Sequence, residues 1–193
     1  RAEVVSYLDT IAANIRNWEA DIVALQEVDR AAIRSFDIDQ MRWLQEATGL
    51  AHAVWTPTWD ATWVPHPGLS PSKHIGRVRS GQVVLSRFPL TNDHHIRLDQ
   101  PEANGAIYNK FYLHRHLTDV RAILNDTVEL RVVNAHLEAF DDTNRIAHAN
   151  RAAELLSASL PHTLLLGDMN CTPPEAKTRR AFPDEPETDM SQD

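Results

Sequence analysis

Short apolar segments of strand length alternate in this sequence with segments of helical periodicity. Residues 21–28, 82–88 and 163–166 are apolar runs bounded by polar or turn-forming residues, which is typical of buried strands. Spacings of three and four predict an amphipathic helix over the first segment, with an apolar face formed by Val4, Leu8, Ile11, Ile15 and Trp18. Strands interleaved with helices predict a layered α/β or α+β fold, with helices outside the sheets.

Two further helices are predicted. One covers residues 37–49, where an aspartate near the start serves as an N-cap and Gly49 stops the helix. The other covers 142–160, and its inward positions are expected to be Ile146, Ala149, Ala153 and Leu156.

The remaining segments divide into strands and loops. Residues 111–124 and 128–137 are expected to form a hairpin around the Asn125-Asp126 turn. Residues 50–59 look extended. Four prolines between Pro57 and Pro71 favour a long irregular loop, and residues 175–193 are expected to be loop or disordered.

Composition narrows the class of protein. The 193 residues fit one domain, 1–193, and no run approaches the ~18–20 apolar residues of a membrane span. A net charge of −8 disfavours non-specific nucleic-acid binding unless positive charge is concentrated locally. The single cysteine, Cys171, excludes an internal disulfide and a cysteine-based zinc site. With no signal-peptide pattern at the start, it slightly favours a cytoplasmic location.

Three predicted strands end in polar side chains. Glu27 ends the first, Asn134 and His136 share one face of another, and Asp168 and Asn170 end a third. Buried polar groups are costly without partners, so such clusters indicate a functional site. The residue types suit attack of water on a phosphate ester. A hard carboxylate binds Mg²⁺ or Mn²⁺, an aspartate orients and deprotonates water, and amide and imidazole groups stabilise the phosphoryl oxygens.

Four segments in order resemble the successive motifs of the endonuclease/exonuclease/phosphatase superfamily, which includes deoxyribonucleases, abasic-site endonucleases, inositol-polyphosphate phosphatases and sphingomyelinases. They are LQEV at 25–28, SGQVVLSRFPL at 80–90, NAHLEAF at 134–140 and LLLGDMN at 164–170. The resemblance covers roughly residues 1–175. It implies a four-layered α/β sandwich, with two mixed sheets face to face and helices outside, and divalent-metal-dependent phosphoester hydrolysis by in-line water attack.

The resemblance also assigns roles to residues. Glu27 matches the metal-ligand glutamate, for Mg²⁺ or Mn²⁺, and His136 the phosphate-binding histidine. Asp168 matches the residue that activates water, and Asn170 the one that stabilises the phosphoryl group. A purely structural alternative is that Glu27 lies on an edge strand and pairs with Arg30.

Two family features are absent from the sequence: a first strand carrying asparagine, and a serine-aspartate-histidine motif near the C-terminus. The chain is therefore expected to be a piece of a longer protein, whose missing C-terminal segment would be a partner. It is also expected to be slower alone than with that motif. The alternative function is a catalytically incomplete phosphate-binding or scaffold domain of the same fold.

Further candidates lie outside the motifs. Residues 61–92 contain no acid, and Lys73, Arg77 and Arg79 within them are expected to contact substrate phosphates. Tyr108 is a weaker phosphate-side candidate. His114 and His116 could bind a metal or be half-exposed strand residues. The sequence leaves two roles open for Trp55, Trp59 and Trp63: they clamp a substrate or a lipid surface, or they pack within the loop. The expected substrate is a phosphate ester of a nucleic acid, an inositide or a phospholipid head group.

Overall fold

Two β-sheets form the centre of the molecule. The computed structural model of the chain describes residues 1–67, 74–157, 161–172, 175, 178–179 and 188–189. Its helices and strands, in chain order, are α1 (Ala2–Asn17), β1 (Ile22–Asp29), a 3₁₀ turn (Ile33–Ser35), α2 (Gln40–Thr48), β2 (His52–Pro67), β3 (His74–Ser86), β4 (Leu90–Arg97), α3 (Ala106–Asn109), β5 (His116–Asn125), β6 (Val128–His136), α4 (Asp142–Ser157), β7 (Thr163–Asp168), β8 (Thr178–Arg179) and β9 (Thr188–Asp189).

The two sheets differ in strand direction. The first sheet has the order β1-β3-β2 and, in its described strands, is antiparallel throughout. The second sheet has the order β4-β5-β6-β7; it is antiparallel except for the parallel β6–β7 pair. Among the described strands, mixed pairing is thus seen in the second sheet alone, whereas the family resemblance implied two mixed sheets.

Helices cover the outer faces of both sheets. Leu8 of α1 and Leu44 of α2 pack on Val83 and Leu85 of the first sheet. Ala152 of α4 packs in the apolar cluster of the second sheet. The sheets meet through a third cluster, built on Val84, Val120 and Val132. These clusters confirm the predicted α/β sandwich of four layers, and no described helix is long and apolar enough to cross a membrane.

The first two helices lie where the sequence predicted them. The buried face of α1 is formed by Leu8, Ala12 and Ile15, whereas Ile11 and Trp18, which were expected to be inside, are exposed. The side chain of Asp39 caps α2 by accepting a hydrogen bond from the Arg42 amide, and Gly49 ends it at φ 76°. The cap and stop predicted for the second helix are thus confirmed.

The inward face predicted for α4 is wrong at three of its four positions. Ile146, Ala149 and Ala153 are exposed, and the buried positions are His148 and Ala152. Leu156 does pack, partly buried, against the apolar cluster of the second sheet. His148 Nε2 donates a hydrogen bond to the Asp99 carbonyl at 2.7 Å. This bond engages Nε2, whereas the buried Nδ1 has no hydrogen-bond partner among the described residues. A polar residue thus holds an inner position that the apolar pattern could not indicate.

The irregular loop predicted for residues 57–71 is wrong over 57–67. This segment continues β2, which pairs with β3 as far as Pro67. Register shifts between Pro57 and Trp59 and between Ala61 and Val64 interrupt the ladder, and such irregularities accommodate proline in a sheet. The rest of the predicted loop, 68–71, lies outside the described residues. So does most of 175–193, although its described residues include the short antiparallel pair β8–β9.

Candidate active site

The parallel pairing of β6 and β7 brings two predicted site residues together. His136 and Asp168 are register partners at the carboxyl ends of these strands. The distance from His136 Nε2 to Asp168 Oδ2 is 3.9 Å. The histidine side chain is buried, whereas that of Asp168 is 49% exposed. The carboxylate of Asp168 therefore faces both the buried imidazole and water.

Gly167 makes the close approach of these strands possible. A Cβ atom on this residue would lie 2.0 Å from the carbonyl oxygen of Ala135, the residue that it faces across the ladder. Its φ of 132° is also a conformation that other residues rarely adopt. Glycine is thus required at the position directly before the candidate catalytic carboxylate.

Asn170 holds the turn that follows Asp168. Its backbone amide donates to Asp168 Oδ1 at 2.9 Å, and its side-chain Nδ2 donates to the Leu137 carbonyl at 2.8 Å. Its φ of 50° lies in the left-handed region that asparagine tolerates. One side-chain N–H thereby ties Asn170 to the end of β6, and the second is left for the phosphoryl role that the resemblance implies.

A buried arginine, Arg115, contacts the candidate phosphate-binding histidine. Arg115 Nη1 forms a hydrogen bond with Nε2 of His136. Because a guanidinium has no lone pair to offer, the imidazole nitrogen must accept this bond, which places the proton of a neutral His136 on Nδ1. The side chains of Arg115 and His136 are each only 4% exposed. The site thus contains a buried cation beside His136.

Glu138 completes the buried cluster. Its Oε1 accepts hydrogen bonds from the Tyr112 hydroxyl at 2.6 Å and from the Ala139 and Phe140 amides at 3.0 Å. Its Oε2 lies 3.9 Å from Arg115 Nε. Burial and the hydrogen bond to Glu138 raise the pKa of Tyr112, so the phenol stays protonated. Glu138 therefore balances the charge of Arg115 and fixes Tyr112.

Two imidazoles of this region are neutral at pH 7. Burial and the nearby Arg115 lower the pKa of His136 to about 4, although Asp168 opposes the shift. Burial lowers the pKa of His116 to about 4 as well. An unfolded chain titrates its histidines near pH 6.5, so stability from these two groups is present above that pH and is lost as pH falls toward 4.

We expect the variant His116→Gln to lose less stability than the parent between pH 7 and pH 5. The difference should be about 1–2 kcal/mol, because the parent must keep a neutral imidazole that the unfolded chain protonates. Urea unfolding at the two pH values measures it. His162→Gln, at an exposed position, is the control. Equal losses in parent and His116→Gln would contradict the expectation.

Glu27 lies at a backbone irregularity in β1. The ladder with β3 shifts register between Leu25 and Val28, and Glu27 has a φ of 57°. Its side chain is exposed and forms no hydrogen bond or close ion pair with another described residue. Arg30, the alternative partner, pairs with Asp39 instead, at 3.1 Å. The bulge thus carries an exposed carboxylate without a hydrogen bond, whose charge is felt by Arg34.

The strand that carries Glu27 is tied to β6. Gln26 Nε2 donates to Asn134 Oδ1 at 2.8 Å, and Asn134 Nδ2 donates to the carbonyls of Leu25 and Val83 at 3.2 and 3.1 Å. These bonds join the two sheets two residues before His136. Asn134 is fully buried, and its side-chain amide is used by these hydrogen bonds between the sheets.

The donor set near Glu27 is small. Among the residues that the structure describes, no group of three or more His, Cys, Asp or Glu side chains is placed to hold a metal ion. A free carboxylate with water and substrate oxygens is nevertheless the kind of site that Mg²⁺ uses, since it keeps several waters. Glu27 fits that role, and its metal binding stays a prediction.

The basic residues expected to bind phosphate have other partners. Arg77 pairs with Asp37 at 2.7 Å. Arg79 lies 3.8 Å from Asp60 and stacks over the ring of Trp55. Lys73 lies outside the described residues. Their contact with substrate stays a prediction, and in the structure Arg77 and Arg79 form exposed ion pairs.

The structure also locates Tyr108 and the two histidines His114 and His116. Tyr108 lies on α3, and its ring centroid is 5.6 Å from that of Tyr112. His116 is buried at the start of β5, so the half-exposed strand position expected for it is wrong. With His114 it finds no third metal ligand in the described part of the chain.

Sequence reasoning missed Arg115, Glu138 and Tyr112. Arg115 stands between the two histidines of YLHRHL, and Glu138 follows His136 by two residues. The available signal was the spacing of Glu138, which lies two residues after His136 and would share its face of an extended strand. Only the pairing of β5 with β6 shows that these side chains meet.

Comparison with solved structures shows the fold. An endonuclease/exonuclease/phosphatase from Beutenbergia cavernae DSM 12333 is 24% identical, with a TM-score of 0.64 over 84% of this chain and 42% of its own. The mannosyl-6-phosphatase Bt3783 from Bacteroides thetaiotaomicron VPI-5482 is 16% identical, with a TM-score of 0.56 over 86% and 57%. ANGEL2, a 2',3'-cyclic phosphatase, is 13% identical, with a TM-score of 0.54 over 84% and 43%.

These matches cover most of this chain but a much smaller share of each compared structure. The chain spans between 42% and 57% of the lengths of the three structures. Comparison with curated protein sequences gave no match. The sequence model of the Endonuclease/Exonuclease/phosphatase family matches residues 4–188. Because this match covers nearly the whole sequence, the chain belongs to the endonuclease/exonuclease/phosphatase family.

Proposed function

We propose that the chain hydrolyses phosphate esters by in-line attack of water, assisted by a divalent cation. The observation that carries the proposal is the cluster at the carboxyl ends of β6 and β7, where the half-exposed carboxylate of Asp168 faces the buried His136–Arg115 pair. A carboxylate reached by water beside a buried cation suits a reaction that needs a base and a binding site for an anion.

Asp168 acts as the base in this proposal. Its Oδ1 accepts the Asn170 amide, and its Oδ2 points toward His136 and remains free to accept a proton from water. The water oxygen forms the new bond to phosphorus as the ester P–O bond breaks, and the electron pair leaves with the alcohol oxygen.

His136, Arg115 and Asn170 stabilise the phosphoryl group. The guanidinium of Arg115 supplies fixed positive charge. Because Nε2 of the neutral His136 accepts from Arg115, the only proton of this imidazole is on Nδ1, and that N–H is the donor for the phosphoryl group. The second side-chain N–H of Asn170 provides a further donor. Buried, pre-oriented donors stabilise developing negative charge more strongly than the same groups in water.

Glu27 would hold the divalent cation. Mg²⁺ or Mn²⁺ bound there would neutralise negative charge that develops on the phosphate oxygens. The exposed and unpaired carboxylate is available for a metal that keeps most of its water. A site with so few protein ligands is expected to have modest affinity.

We expect Glu27→Gln to keep the fold and to abolish the thermal stabilisation that Mg²⁺ gives the parent. The amide retains the size of the side chain but removes the charge that attracts the cation. Thermal unfolding with and without Mg²⁺ measures this effect. Glu19→Gln is a matched control, because Glu19 is also exposed and also has a positive φ, of 51°. If Glu27→Gln gains as much stability as the parent, the metal assignment is wrong.

Hydrolysis of bis(p-nitrophenyl) phosphate by the purified chain, with and without Mg²⁺, tests the function itself. Phosphatase activity in two of the compared proteins supports phosphoester chemistry here. Nucleic acid, inositides and phospholipid head groups are the candidate substrates. Metal-dependent release of nitrophenolate supports the proposal. Phosphate binding without turnover would favour the phosphate-binding or scaffold alternative.

A further inference from the structure

The bulge that carries Glu27 depends on support from outside its own ladder. Pairing between β1 and β3 is regular up to Leu25 and resumes at Val28, so Gln26 and Glu27 together face one residue of β3, Gln82. Two residues opposite one is the arrangement of a β-bulge. The φ of 57° at Glu27 is a left-handed conformation that a residue other than glycine keeps only where its surroundings hold it.

Asn134 of β6 supplies that support from the opposite sheet. Its Nδ2 donates to the carbonyls of Leu25 and Val83 at 3.2 and 3.1 Å, and its Oδ1 accepts from Gln26 Nε2 at 2.8 Å. The two contacts with β1 are therefore made by the two residues directly before Glu27. Asn134 holds the bulge through a backbone carbonyl and through a side chain.

A side-chain amide is the group that these contacts require. Asn134 is fully buried, and its two donor bonds and one acceptor bond occupy both ends of the amide. A leucine of similar size would leave the partners on β1 without these bonds, and an aspartate would keep the acceptor but lose both donors. Buried polar groups without partners are costly, so either change would loosen this part of β1.

The same residue is joined to the strand end that carries His136. Asn134 lies two residues before His136 on β6, and alternate residues of a strand share one face. Its backbone carbonyl accepts from Nε2 of Gln82, the residue that faces the bulge, at 2.8 Å. Glu27 and His136 belong to different sheets, and Asn134 therefore fixes the position of one relative to the other.

We propose that Asn134, together with Gln26, is a positioning residue that sets where the Glu27 carboxylate lies relative to His136. It thereby sets where a divalent cation lies relative to the phosphoryl group. The inference rests on the proposed function for the roles of Glu27 and His136. In this role Asn134 and Gln26 contact neither the cation nor the reacting atoms, and they act through the backbone of the bulge.

Thermal unfolding across a Mg²⁺ titration tests the role without turnover. Gln26→Met keeps the length of a half-buried side chain and removes its donor to Asn134. We expect the Mg²⁺ concentration that gives half of the maximal stabilisation to rise about 10- to 100-fold, the usual effect of losing a residue that orients a metal ligand. High Mg²⁺ should restore the full stabilisation, because the Glu27 carboxylate remains. Glu27→Gln should not recover at any concentration.

Asn134→Asp is the second variant, and it should raise the same Mg²⁺ midpoint because both donors to the carbonyls are lost. Circular dichroism establishes whether it folds with a buried carboxylate. Gln26→Met decides the test where it does not, since its substitution introduces no charge.

Thr56→Val is the control for the loss of an inter-sheet hydrogen bond alone. Thr56 of β2 is fully buried, and its hydroxyl is hydrogen-bonded to that of Thr118 on β5. This variant should melt at a lower temperature than the parent with an unchanged Mg²⁺ midpoint. A midpoint that rises equally in Thr56→Val and Gln26→Met would reflect a general loss of stability and would overturn the positioning role.

The parent chain separates this inference from the proposed function. If Mg²⁺ stabilises the parent and Gln26→Met with the same midpoint, the positioning role is overturned and the metal site at Glu27 stands. If Mg²⁺ stabilises neither, the proposed metal site fails and the positioning role fails with it.

Discussion

Replacing Asp168 with asparagine is expected to lower kcat for bis(p-nitrophenyl) phosphate by about 10²–10⁴-fold. The amide keeps the oxygen that accepts the Asn170 backbone amide, so the turn after β7 should persist. It cannot accept the proton of the attacking water at neutral pH. Because this contact with water belongs to the chemical step, KM should change much less than kcat.

Asp126→Asn provides the control for this experiment. Asp126 is exposed in the turn between β5 and β6, so the same chemical change there should leave kcat unaltered. Circular dichroism and urea unfolding establish that both variants are folded. An Asp168→Asn variant with at least half of the parent kcat would show that another group activates the water.

The fold was predictable where the sequence pattern is local. Apolar runs of strand length correctly located β1, β7 and the end of β3, the turn signal located β6, and the pattern of caps located α2. The inner face of α4 was not predictable from apolar spacing. His148 takes an inner position there, where its Nε2 donates to the Asp99 carbonyl, and that partner lies 49 residues away.

The segment after residue 57 forms a strand despite its prolines. Prolines lack the amide that a central strand needs, so their number there predicts an irregular loop. The long partner strand β3 instead pairs with β2 around the prolines, through shifts of register. Such compensation depends on the partner strand and leaves no trace in the composition of the segment itself.

The candidate site was partly predictable for a similar reason. Glu27, His136, Asp168 and Asn170 stand at strand ends, and the structure places His136 and Asp168 opposite each other. Their catalytic and metal-binding roles stay predictions. The contact between Arg115 and Glu138 was not predictable, although Glu138 shares the strand phase of His136. One residue precedes β5, the other follows β6, and only the sheet brings them together.

Glu138→Ala is expected to lower the free energy of unfolding by about 3–5 kcal/mol, the usual cost of leaving a buried charge without its partner. Glu138 is fully buried and faces Arg115, whose side chain is also almost entirely buried. Truncation also removes the acceptor for the Tyr112 hydroxyl and for the amides of Ala139 and Phe140. Glu138→Gln keeps an acceptor oxygen and loses only the charge, so its cost should be smaller.

Urea unfolding of Glu138→Ala against Glu129→Ala measures this cost. Glu129 pairs with Arg121 at 3.0 Å on the surface, where water solvates both side chains, so its truncation should cost about 0–1 kcal/mol. The two variants remove the same side chain from the same kind of ion pair and differ in burial. Equal losses of unfolding free energy in the two variants would mean that water reaches Arg115 once Glu138 is gone. The guanidinium beside His136 would then need no carboxylate partner.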